Sequence, residues 1–214
     1  MLTHLHLCVV DATDCRFWGR GPICRCRMVL GMNSAKAKGD RGEREAVAML
    51  CQLAPDLVLP NARRKLGAGR RDDIGDLEVF PDVTIQVKTM ANVVTALRDA
   101  ALGAEEQAAR ARTTYQVGIA PIPRSRKTAV RWLAATTAWP EGPPPDDEVR
   151  VVGRTQDAII HCRSEHLGIP RFRRIANVRR AGAAPLYIST IEAWVFAWQH
   201  EVSAQSTLPI AAWS

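Results

Sequence analysis

Residues 75–88, read Gly-Asp-Leu-Glu-Val-Phe-Pro-Asp-Val-Thr-Ile-Gln-Val-Lys, constrain the fold more than any other stretch. They predict two short strands around a tight turn. Val83, Ile85 and Val87 alternate with Thr84, Gln86 and Lys88. A period of two puts Gln86 and Lys88 on one strand face and leaves the other face β-branched and apolar, ready to pack on a core. On the preceding strand Asp76, Glu78 and Phe80 share a face. A three-residue connection, Pro81-Asp82-Val83, would set Asp76 opposite Lys88 and Glu78 opposite Gln86. A two-residue turn would send Asp76 to the far face, because register changes by one flip every side chain. The odd loop is therefore expected. A carboxylate, a polar residue and a lysine on one rim suit metal-assisted phosphodiester chemistry. The plain alternative is a solvated surface hairpin.

The flanking sequence supplies the context. Asp40 is placed to cap a helix starting at Gly39, with Glu43 three residues on as a capping box. Ala46, Val47, Leu50 and Ala54 then repeat at three and four, and Glu43 lies one turn before Val47 on that inward stripe. Leu57-Val58-Leu59-Pro60 reads as a strand. Next comes a glycine-spaced basic loop with Arg63, Arg64, Lys65, Arg70 and Arg71. Such a loop can contact phosphates through charge and backbone N–H. Beyond Lys88, residues 93–112 read as a helix, 115–120 and 130–134 as strands, and Arg124, Arg126 and Lys127 as a second basic turn. Pro140 to Asp147 reads as a linker. Residues 155–167 form a helix pattern, Arg171 to Arg180 a third basic cluster, and 186–188 a strand. Thr190 caps a last helix, whose Ile191, Trp194, Val195 and Trp198 predict a core or dimer-forming stripe. No internal repeat is visible in the sequence.

Composition narrows the class. A net charge of +7 and a pI near 9.4 favour a polyanionic partner. No apolar run approaches the ~20 residues that span a bilayer, so no membrane partner is expected and a cytoplasmic location is. Cys8, Cys15, Cys24 and Cys26, with His4 and His6, lack C-x-x-C spacing and make only a weak zinc candidate. Residues 1–31 show no clear period, and a true start at Met28 or Met32 is one reading of this.

The ordered set Lys38-Gly39-x-x-x-Glu43, Gly75-Asp76 and Gln86-Val87-Lys88 resembles the PD-(D/E)XK nuclease superfamily, closest to its Holliday-junction-resolvase-like members, including phage types. The resemblance covers about residues 33–136. It implies an α/β fold: a restriction-endonuclease-like core with a central mixed β-sheet flanked by helices, followed by a C-terminal α+β extension. The implied organisation is a poorly ordered segment at 1–32, a nuclease core at 33–139, and a linker plus extension packing on the core at 140–214. It implies a metal-dependent endodeoxyribonuclease, probing DNA structure in the manner of a junction resolvase. In that reading Glu43, Asp76, Gln86 and Lys88 are catalytic, and Glu43, Asp76, Gln86 and the Val87 carbonyl hold Mg²⁺, for which Mn²⁺ would substitute. The chain departs from the usual pattern in placing the uncharged Gln86 where an acid normally stands. Glu78 could restore that charge, and Asp72 or Asp73 could replace Asp76. The expected partners are branched or duplex DNA and a second subunit, in the host cytoplasm if the chain is phage-encoded. The alternatives are a catalytically inert DNA-binding protein on the same fold, or a restriction-type or transposon-type nuclease.

Overall fold

A computed structural model describes residues 25–65, 75–123, 129–179 and 182–206, with side chains from Lys36 onward. The chain divides after Ala35 into two units. In the first, the described backbone is the beginning of helix α1 (Arg25–Leu53). The start-site expectation and the candidate zinc residues lie largely outside the described residues. All that follows concerns the unit from Lys36 onward.

That unit is α/β. Its strands are β1 (Arg63–Arg64), β2 (Leu77–Glu78), β3 (Val83–Val87), β4 (Tyr115–Pro121), β5 (Trp132–Thr136), β6 (Val149–Val152), β7 (Ile175–Val178) and β8 (Leu186–Thr190). Its further helices are α2 (Val93–Ala111), α3 (Thr155–Arg163) and α4 (Ile191–Ser206). The strands make one mixed sheet in the order β1-β2-β3-β4-β5-β8-β7-β6. Neighbours are antiparallel except β3 with β4, joined through α2, and β6 with β7, joined through α3. Such helical crossovers are what parallel neighbours require. The sequence strand–helix–strand–strand thus occurs twice in the fold. Residues 140–214 supply three of the eight strands, so they extend the central sheet itself.

Helices cover both faces. One core joins Ala46, Leu50 and Ala54 of α1 and Trp194 and Trp198 of α4 to Val83, Ile85 and Val87. The other joins Ala96, Leu97 and Ala101 of α2 and Ile159 and Cys162 of α3 to Leu133, Ala176 and Ile188. Close approach sets the chemistry of the second layer. A Cβ on Gly118 of β4 would collide with the backbone of Ala100 and Ala101, so α2 rests on the sheet through small residues.

Several expectations change. Helix α1 does not begin at Gly39 but runs through it, so Asp40 is no cap. Residues 57–60 form no strand. A 3₁₀ turn, Pro55–Leu57, is followed by Leu59 donating to the Val79 carbonyl at 2.8 Å. Trp194 and Trp198 are fully buried, and Trp198 stacks on Phe80 at 4.6 Å, so this stripe is core and offers no interface. Thr190 does cap α4, its Oγ1 accepting from Ala193 N at 3.2 Å. Among the described residues no helix is long and apolar enough to cross a membrane.

Candidate functional site

The hairpin forms, but two residues out of the expected register. Leu77 pairs with Ile85, which sets Asp76 opposite Gln86 rather than Lys88, and Glu78 opposite Thr84 rather than Gln86. The shift is even, so Asp76 and Gln86 still share a face. Its cause is the turn. Phe80 leaves the alternation to stack on Trp198, and Asp82 adopts a left-handed φ of 56°. The Asp82 side chain then accepts from Thr114 N at 2.9 Å and ties the turn to the start of β4. Gly75 has a φ of 95°, and a side chain there would crowd the Ile85 carbonyl at 3.3 Å.

The polar face is not an open surface. Thr84 and Gln86 are buried beneath α2, with Gln86 against Gly103, and Thr84 Oγ1 lies 2.7 Å from Thr113 Oγ1. At the end of the hairpin Asp76 and Lys88 are half-buried, as is Glu78 beside β1.

Asp76 is the best-anchored residue of this corner. Its N–H donates to Ile85 O at 2.9 Å, and its carbonyl accepts from Lys65 N at 2.8 Å. Its Oδ2 accepts from Gln86 Nε2 at 2.6 Å and from Val87 N at 2.7 Å. Gln86 Oε1 is buried with no hydrogen-bond partner among the described residues. Lys88 N donates to Ile119 O on β4 at 3.0 Å. Because successive strand residues point opposite ways, the Val87 N–H and carbonyl both face Asp76. The Lys88 side chain makes no ion pair among the described residues.

Helix α1 closes the corner. Gly42 is buried so tightly that an added Cβ would strike Thr89 Cγ2, the residue after Lys88. Glu43, the residue after Gly42, lies on the helix that covers the Val83, Ile85 and Val87 face, and its carboxylate is occupied. Arg64 Nε donates to Glu43 Oε2 at 2.7 Å and Arg64 Nη2 to Asp40 Oδ1 at 2.6 Å. Burial disfavours the guanidinium's charge, but hydrogen bonds and attraction from Glu43 and then Asp40 outweigh it and hold the Arg64 pKa above the ordinary arginine value. Arg64 thus serves the fold rather than a free phosphate contact. Arg63 pairs with Glu78 across β1 and β2 at 3.4 Å, so Glu78 is turned toward β1 and away from Gln86. The Asp40–Arg64–Glu43 bridge is not legible locally in the sequence, where a capping box already accounts for both acids. Asp72, Asp73, Arg70, Arg71, Arg124, Arg126 and Lys127 lie outside the described residues.

The oxygens at this corner suit a hard divalent cation. A half-turn of the Gln86 amide would exchange Nε2 for the partnerless Oε1 and set two side-chain oxygens beside the Val87 carbonyl. The set carries one formal negative charge, from Asp76, while Glu43 stays with Arg64. Among the described residues no three His, Cys, Asp or Glu side chains converge as a metal site. Compared with protein families, with curated proteins and with solved structures, the chain gives no match.

Proposed function

We propose that the chain is a metal-dependent DNA endonuclease of the PD-(D/E)XK type, on a restriction-endonuclease-like fold, with its site at Asp76, Gln86, Val87 and Lys88. The observation that carries this reading is the convergence of Asp76, the Gln86 amide and the Val87 main chain at the end of β3, with Lys88 next in sequence. A structural hairpin needs no partnerless buried amide oxygen, whose desolvation costs about 1–3 kcal/mol. The mixed sheet with helices on both faces supports the same reading.

Asp76, Gln86 Oε1 and the Val87 carbonyl would hold Mg²⁺ or Mn²⁺. That ion would polarise the phosphoryl oxygen and make a water acidic enough to attack. Lys88 orients the attacking water and offsets charge developing on the phosphate. Water adds to phosphorus as the P–O3′ bond breaks, leaving a 5′-phosphate and a 3′-hydroxyl. The loop between Lys65 and Gly75 is closed at its base by the bond from Lys65 N to Asp76 O. Lys65 and Gly75, the described residues on either side of the segment that carries Arg70 and Arg71, thus lie beside the site, and those arginines would hold the DNA backbone.

A second reading, an inert DNA-binding protein, is favoured by the Glu43–Arg64 pair, which withholds the second carboxylate. Labelled four-way junction, matched duplex and single-stranded DNA, incubated with Mg²⁺, Mn²⁺ or EDTA, separate the two. Cutting that needs the metal supports the nuclease, and preference for the junction supports the resolvase subclass. Salt-sensitive binding without cutting under either metal supports the inert protein.

A further inference from the structure

We infer that β6 is a self-association edge, through which two copies of this chain join antiparallel about a twofold axis normal to the sheet. The inference stands apart from the chemistry at Asp76. Among the described residues the sheet ends at β6, whereas its other edge, β1, is only two residues long. Val152 O accepts from Arg179 N on the β7 side at 3.0 Å. The main-chain groups of Val149 and Val151 therefore point outward, as an edge that can take a further strand. The apolar surface lies here too. Val151 is 44% exposed and Ile160 of α3 59%. A groove of about 830 Å³ runs along the strand and α3, lined by Arg150, Val152, Ile160, His161 and Leu167.

The charges select both the partner and the register. Asp147 and Glu148 precede the strand, Arg150 lies within it and Arg154 follows, all of them exposed; Arg154 already holds Asp157 of α3 through hydrogen bonds of 3.0 and 3.1 Å, a guanidinium that a facing Glu148 would share. Such a run is complementary to its own reverse. A twofold axis normal to the sheet keeps side chains on their faces, so only residues of equal parity can pair. Centring the pair on Arg150 sets Arg150 against its mate, and centring it on Val152 sets Arg150 against Arg154. Both are like-charge contacts. Centring on Val151 sets Val151 on Val151 and Glu148 against Arg154 twice, and pairs the whole strand. Centring on Val149 joins Glu148 to Arg150 but leaves Val151 opposite Asp147. The Val151-centred register is therefore the one proposed. The resulting sheet is continuous through both copies, with the exposed Ile160 side chains flanking the seam on one face.

Sedimentation velocity of the full chain over a concentration series tests this, with melting temperatures confirming that each variant is folded. The expected result is a monomer–dimer equilibrium, lost in Val151→Lys. Glu148→Arg should weaken it roughly tenfold or more, and Glu148→Arg with Arg154→Glu should recover most of the loss. A monomer at every concentration up to about 100 μM, or a dimer indifferent to Val151→Lys, would overturn the inference. A double reversal as weak as the single one would overturn the register.

Discussion

Asp76 Oδ2 lies 2.6 Å from Gln86 Nε2, so Gln86 holds the Asp76 carboxylate through an N–H. Gln86→Glu would replace that donor with a second carboxylate in a buried position. Without divalent metal the variant should lose about 2 kcal/mol of stability. Added Mg²⁺ or Mn²⁺ should recover much of this, because a ligand bound only by the folded state stabilises it. Melting temperatures in EDTA and in metal measure the difference. Equal values in both would mean that no cation enters this corner.

Arg64 bridges Asp40 and Glu43, and its side chain is 20% exposed. Arg64→Ala should cost about 1–2 kcal/mol, less than for a fully buried pair because solvent screens part of it. Denaturant unfolding measures it. Adding Asp40→Asn and Glu43→Gln to the same chain should return part of the loss, since the repulsion then disappears.

Two glycines should respond in opposite directions. Gly118→Ala drives a methyl group into the α2 backbone and should cost about 3 kcal/mol. Gly39 lies within α1 with open space around it, so Gly39→Ala should stabilise by about 0.5–1 kcal/mol through helix propensity. Thermal unfolding of both variants, read side by side, checks the fold around the site independently of any activity.

The Cys162 thiol is wholly enclosed, and burial pushes its pKa from 9.0 up to about 12, opposed by Arg174. The folded state therefore keeps its proton after the unfolded chain has lost it. This stabilising contribution is complete below pH 9.0 and is lost as pH rises toward about 12. Unfolding free energies across that range should decline, and Cys162→Ala should flatten part of the decline. Burial also raises Tyr115 above 10.0, adding a decline that the variant leaves in place.

The sequence disclosed the parts of this fold that depend on periodicity. Helix α2 and strand β4 follow from patterns long enough to be unambiguous. Alternation in β3 identified Val83, Ile85 and Val87 as core, and parity alone placed Asp76 on the same face as Gln86, though opposite Lys88. The register failed because it was set by a tertiary contact, Phe80 on Trp198, between residues far apart in the chain. β6 and β7 went unread because four residues, Val-Arg-Val-Val and Ile-Ala-Asn-Val, are too few to show a period of two. Burial of Thr84 and Gln86 was hidden for the same reason: nothing near them in sequence announces that α2 folds back over that face. The Arg64 bridge likewise joins residues 21 and 24 positions apart.

The most direct measurement pairs metal binding with DNA cleavage in three proteins: the unaltered chain, Asp76→Ala and Lys88→Ala. Mn²⁺ binding followed by electron paramagnetic resonance reads the cation, and labelled DNA reads the chemistry. The account predicts that the unaltered chain binds and cuts, that Asp76→Ala does neither, and that Lys88→Ala binds the metal but does not cut. Cleavage surviving in Asp76→Ala, or no metal binding and no cleavage in the unaltered chain, would contradict it.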